Sequence, residues 1–202
     1  MPTMRRKCGR SDTAVPKPIS RAMASTPRSV SSSAAERLGA AVPQLQVLPR
    51  WHDIELTGAS RDGRVRVTAV PAQHGPDGTE HLTGEVTGFV ISGDDLPTIY
   101  VSGDNASLDV VDEVARRFPS IDIALLFAGG AQTPLLGDAY LTLSSDMAAE
   151  AARLLGRPLV IPVHTDGWGH FTQGISTVEA AFARAGLSNR LLALRPGESA
   201  CV

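Results

Sequence analysis

The sequence predicts an α/β fold in which sheet layers carry helices on their outside. Three observations predict it. Within residues 51–102 the strand segments show apolar positions recurring with a period of two. Beyond Asp104 the period becomes helical. From there on, short apolar runs alternate with capped helical segments.

The elements follow in order. Residues 51–56 alternate as a short strand. Val65, Val67 and Ala69 alternate with Arg66 and Thr68, a half-buried strand continuing into Val70. Residues 71–84 are a polar, Gly-containing loop. Residues 86–92 and 98–102 are strands joined through the Gly93-Asp94-Asp95 turn as a hairpin. Ser107 caps a helix whose Leu108, Val111, Val114, Ala115 and Phe118 share a face. Residues 121–127 form a buried strand. Ser144 or Ser145 opens a helix to Leu155, and residues 158–163 form another buried strand. Ser176-Thr177-Val178-Glu179 has the capping-box pattern for a helix that stops at Gly186, and residues 190–194 close the fold as a last strand.

The 202 residues, 43% hydrophobic and 20% charged, are enough for one domain with a real core. A net charge of −2 spreads no basic field over the chain, which argues against nucleic acid as the partner. No apolar run approaches the roughly 20 residues that span a bilayer, and no apolar stretch follows the basic N-terminus as in a secretory signal. Cys8 and Cys201 stand at opposite ends without metal or redox spacing. No disulfide framework is expected, and the cytoplasm is the default compartment.

Residues 1–35 differ from the rest. They hold seven Lys/Arg against one acid, Asp12, and are rich in Ser, Pro and Ala without period. Such a segment buries too little to offset its ordering entropy, so a disordered tail over 1–35 and a folded domain over 36–202 are expected. A basic arm for nucleic acid would bind in a salt-sensitive way and lose that binding on deletion of the tail.

Three residues stand directly after strands: His74 in Val70-Pro71-Ala72-Gln73-His74, Asp104 in Tyr100-Val101-Ser102-Gly103-Asp104, and His164 in Ile161-Pro162-Val163-His164. A single loop histidine is ordinarily solvated, and Gly-Asp-Asn is ordinarily a turn. As a set, two imidazoles and a carboxylate at strand ends suit a divalent metal such as Zn²⁺, Mn²⁺ or Fe²⁺. Trp168 and His170, in the Gly-containing loop after His164, are candidate substrate contacts. His81 and Asp166 are weaker candidates, and Gly129-Gly130 allows a close backbone approach.

With these motifs, and with Phe127-Ala128-Gly129-Gly130 and His164-Thr165-Asp166-Gly167-Trp168, residues 64–171 resemble the later part of the metallo-β-lactamase superfamily. Within it they are most similar to the ascorbate-6-phosphate-lactonase-type branch of metal-dependent hydrolases. The resemblance implies an αββα sandwich with a two-metal site at one edge. The metals would be Zn or Mn; His74 would bind the first, His164 would bind the second, and Asp104 would bridge them as the catalytic carboxylate. The substrate would be a small ester, lactone or phosphate-containing molecule.

The family's upstream His-x-His-x-Asp-His run does not occur in this sequence, and His52 is the one histidine before His74. The expected site is therefore about half present against the usual three protein ligands of a catalytic zinc. The sandwich is expected to be incomplete, with an apolar sheet face open to self-association. A 5′-truncated or frameshifted product, with residues 1–35 foreign to the domain, is the expectation that follows. A non-catalytic remnant or assembly module is the alternative.

Overall fold

The computed structural model describes residues 28–30, 45–57 and 64–202. Strand β1 (Arg28–Val30) pairs in parallel with β2 (Leu45–Val47) as a separate two-stranded sheet. The rest of the expected tail, residues 1–27 and 31–35, lies outside the described residues.

A six-stranded mixed sheet forms the body of the domain, in the order β3 (Asp53–Thr57), β4 (Arg64–Pro71), β5 (Thr87–Gly93), β6 (Leu96–Val101), β7 (Ile123–Phe127) and β8 (Leu159–Val163). β3 to β6 are an antiparallel meander, while β7 joins β6 and β8 joins β7 in parallel. The meander needs only short turns. The parallel pairs need crossovers, and helices supply them. The expected hairpin is present between β5 and β6, with a register shift between Ile91 and Gly93 and Asp95 at φ 57° in its turn.

The crossover between β6 and β7 is α2 (Leu108–Arg117), and that between β7 and β8 contains α3 (Ser145–Leu154). Their starts are chemically fixed as the sequence predicts: Ser107 Oγ accepts from Val110 N, and Ser144 Oγ accepts from Met147 N. Helix α4 (Ile175–Arg184) follows β8 and packs on α3. A short helix, α1 (Glu80–Thr83), interrupts the loop expected over 71–84.

The helices cover one face of the sheet. Val70, Val90, Tyr100, Ala124, Leu126 and Val160 are fully buried there, against Val111 and Val114 of α2, Ala148, Ala151 and Ala152 of α3, and Val178 and Phe182 of α4. Each buried valine contributes about 2 kcal/mol by removal from water. Small residues on α3 let that helix lie close to its neighbours. On the opposite face, Phe89, Ile91, Ile99, Val101, Leu125 and Ile161 are half-buried, because strand alternation places them away from the helices.

Three expectations are corrected. Residues 190–194 do not form a strand. A 3₁₀ turn, Ser188–Arg190, leads to a single bridge between Leu191 and Val160, and Arg195-Pro196-Gly197 follows in a turn. Helix α4 is capped at Gly174 rather than Ser176: Thr177 Oγ1, one turn inside, accepts from Gly174 N at 3.1 Å. Cys201 is disulfide-bonded, although the cysteine spacing gave no sign of a bridge. Sequence separation carries no information about remote partners.

Candidate metal centre

Strand direction gathers the site. β4 and β6 are both antiparallel to β5, and β7 and β8 are parallel to β6, so β4, β6, β7 and β8 all run the same way. Their C-terminal ends share one sheet edge, the place where open α/β sheets ordinarily hold ligands. His74 follows β4, Asp104 follows β6, Gly129 and Gly130 follow β7, and His164 follows β8.

Asn105 fastens the first two loops together. Its side chain is fully buried. Its Oδ1 accepts from Gln73 N at 3.1 Å and from Ser107 N at 3.2 Å, and its Nδ2 donates to Ser107 O at 2.8 Å. Ala106 N donates to Gln73 O at 2.7 Å. The residues beside His74 and Asp104 are thus bonded to each other. Gly103, at φ 59°, has no room for a side chain: a Cβ would lie 2.7 Å from Thr87 O.

The loops after β7 and β8 are equally close. A Cβ on Gly129 would collide with the His164 carbonyl oxygen. Gly129 O accepts from Thr172 N and Gln173 N at 3.2 and 3.1 Å, and Thr172 Oγ1 donates to Gly130 O at 2.6 Å. The sequence shows the glycine pair. It gives no sign of Asn105, which sits behind Asp104 in what looks like an ordinary turn.

His164 Nδ1 and Asp104 Oδ1 face each other at 3.4 Å. Both atoms are buried, and neither has a hydrogen-bond partner. His164 adopts φ 57°, a left-handed conformation costly for a residue with a side chain. Burial pushes its imidazole pKa below the ordinary histidine value. Asp104 opposes that shift, and His170 and His74 add to it. Burial thus disfavours the charged imidazolium beside Asp104. Two buried electron-pair donors of the kinds that bind zinc, facing each other without a proton bridge, fit a cation.

His74 is within electrostatic reach of His164, and its ring is oriented for ligation. Its Nδ1 lies 3.1 Å from Thr83 O. A carbonyl only accepts, so Nδ1 carries the proton and the neutral ring keeps its Nε2 lone pair. Metal-binding histidines are commonly held in this way. Among the described residues, however, no three or more His, Cys, Asp or Glu side chains form a group that could hold an ion. Asp104 and His164 are brought together; His74 stands apart from them.

Aromatic rings continue outward from His164. Phe127 and Phe171 lie 5.1 and 4.4 Å from its ring, His170 lies 4.9 Å from Phe171, and Trp168 lies 5.7 Å from His170. Trp168 is 65% exposed. His81 is exposed and its Nδ1 bonds locally with Gly78 O, and His52 Nδ1 bonds locally with Arg50 O.

The Beta-lactamase superfamily domain model matches residues 1–165. The chain belongs to the metallo-β-lactamase superfamily. Among curated relatives of this superfamily member is a UPF0173 metal-dependent hydrolase of Pelotomaculum thermopropionicum, 32% identical over 153 residues, covering 73% of this chain and 62% of the relative. Another, from Pyrococcus horikoshii, is 30% identical over 155 residues, covering 74% and 62%. The chain thus spans 62% of the length of each of these two relatives. The fold matches that of a possible metal-dependent hydrolase from Veillonella parvula, with a TM-score of 0.70 and 18% identity, over 87% of this chain and 66% of that one. It also matches an isothiocyanate hydrolase from Delia radicum gut bacteria, with a TM-score of 0.64 and 19% identity, over 76% and 57%.

Proposed function

We propose that this superfamily member is a metal-dependent hydrolase of a small ester, lactone or phosphate-containing substrate, with Asp104 and His164 as protein ligands of a divalent metal, zinc or manganese, and His74 as a ligand of a second that shares Asp104. The observation that carries this reading is the buried, unpartnered pair Asp104 Oδ1 and His164 Nδ1. Asp104 and His164 would hold a metal there, and the chemistry it would supply is a lowered pKa for water and polarisation of the reacting oxygen.

The chain's own residues have separate tasks. Asp104 contributes anionic charge and two oxygens. His164, whose charged form burial disfavours, offers a ring nitrogen. Asn105 and Gly129 hold the loops that carry them, and the rings of Phe127 and Phe171 flank that of His164. Trp168 and His170 meet the substrate. The cytoplasm is our reading of where this occurs; among the described residues no helix is long and apolar enough to cross a membrane.

Elemental analysis of the purified full chain, beside the His74→Ala/His164→Ala double variant, tests the proposal. Near-stoichiometric metal that disappears in the variant is expected. Metal no higher than in the variant would overturn it.

A second reading draws on a different observation. The apolar sheet face opposite the helices, and the lack of a three-residue ligand group among the described residues, suit a non-catalytic assembly module, or a site completed by another copy. Two such faces would pack as aligned sheets. Sedimentation of the full chain as a monomer at micromolar concentration would remove this reading.

A further inference from the structure

Asn105 ties the loops that carry His74 and Asp104. A second amide, Gln173, ties the other two, residues 128–144 and 164–174. Its backbone N donates to Gly129 O at 3.1 Å. Its Oε1 accepts from Ser145 N at 2.5 Å, and its Nε2 donates to Tyr140 Oη at 3.2 Å. The amide's orientation follows from its partners: Ser145 N can only donate, so the atom facing it is the oxygen. The stem of the side chain lies on Gly130, where an added Cβ would meet Gln173 Cδ at 3.1 Å and Cγ at 3.2 Å.

Ser145 is the first residue of α3, so its N–H has no partner inside the helix. Ser144 Oγ serves Met147 N, and Gln173, 28 residues away in sequence, serves Ser145 N. Helix α3 is anchored by its fully buried Ala148, Ala151 and Ala152, which makes its start a fixed point for the loop. The loop needs one. At its other end His164 holds φ 57°, a conformation that persists only where the surroundings over-determine it. The His164 carbonyl lies against Gly129, whose own oxygen accepts from Gln173 N. Phe171, two residues before Gln173, lies 4.4 Å from the His164 ring. Fixing Gln173 thus fixes both the backbone under His164 and an aromatic ring beside it.

We infer that Gln173 is the positioning residue of the His164 loop: its amide fixes residues 164–174 against Tyr140 and the first N–H of α3, and so sets where His164 meets Asp104. The positioning itself is independent of any ligand. Its consequence for a metal rests on the reading in which Asp104 and His164 hold one.

Four variants separate this role from a merely structural one. Gln173→Met keeps the length of the side chain and removes both of its hydrogen bonds. Gln173→Glu keeps an oxygen for Ser145 N, at a helix start that favours negative charge. Ser145→Pro removes the donor instead, at the helix position where proline is best tolerated. Ser145→Ala loses only the hydroxyl bonded to Thr177 and keeps the N–H.

The ring protons of His164, followed by NMR in the metal-free full chain, report its place, because the rings of Phe127 and Phe171 displace them from ordinary histidine positions. Displaced signals are expected in the unaltered chain, in Gln173→Glu and in Ser145→Ala. Ordinary positions are expected in Gln173→Met and Ser145→Pro. Unmoved signals in Gln173→Met would overturn the inference, as would ordinary positions already in the unaltered chain. Were Gln173→Met not to fold, unmoved signals in Ser145→Pro would overturn it. Co²⁺ titration of the same proteins, read by visible absorption, tests the consequence: binding about tenfold weaker in Gln173→Met and recovered in Gln173→Glu is expected. Equal Co²⁺ affinity in the unaltered chain and Gln173→Met would also overturn it. An unaltered chain that binds no Co²⁺, with the NMR change present, sinks the metal reading and retains Gln173 as the positioning residue.

Discussion

Asp104 Oδ1 and His164 Nδ1 lie 3.4 Å apart, both buried and both without a hydrogen-bond partner. They are brought together from loops sixty residues apart in sequence because β6 and β8 run in the same direction on either side of β7. Their local supports are open to direct tests.

Asn105→Ala removes the side chain that ties the His74 and Asp104 loops. It strands Gln73 N, Ser107 N and Ser107 O. Leaving buried polar groups unpaired costs about 1–3 kcal/mol. A lower urea midpoint and weaker metal retention are expected. An unchanged midpoint would show that the tie is not needed.

Gly129→Ala places a methyl group against the His164 carbonyl. Gly169→Ala, in the neighbouring loop, meets nothing within 4 Å. The first is expected to destabilise by more than about 2 kcal/mol, and the second to stay within about 0.5 kcal/mol of the natural chain. Thermal unfolding of the two variants compares them, and equal effects would contradict the close approach.

Tyr100 is fully buried with its hydroxyl unpartnered, and burial raises its pKa far above the ordinary phenol value. Tyr100→Phe removes a polar atom that has lost its water without gaining a bond. The variant is expected to be as stable as the natural chain or about 1 kcal/mol more stable. A clear loss in denaturant titration would show that the hydroxyl is satisfied in solution.

His164 should make the metal-free protein acid-sensitive. Its folded pKa lies below the unfolded value because burial penalises the imidazolium. The unfolded state therefore binds the proton more readily. This contribution to stability is fully present above the unfolded pKa of about 6.5 and is lost as pH falls through the folded value. Urea unfolding of metal-free protein at pH 7.5 and below pH 6 should show the decline, reduced in His164→Gln. Identical pH profiles for the two chains would remove His164 as the cause.

What the sequence by itself determined was local. Alternation at residues 65–70 marks β4, the shared face of Val111 and Val114 marks α2, and the serines at 107 and 144 mark helix starts, because period and capping are properties of near neighbours. It also marked His74, Asp104 and His164 as residues at strand ends. Only the tertiary structure decided that these ends share an edge, since strand direction is fixed by pairing across β5 and β7 and not by any local pattern. It alone showed Asn105 as the tie, the contact of Gly129 with His164, and the failure of residues 190–194 to extend the sheet beyond one bridge. Each depends on which distant backbone groups become buried together, and hydrophobic period does not encode that.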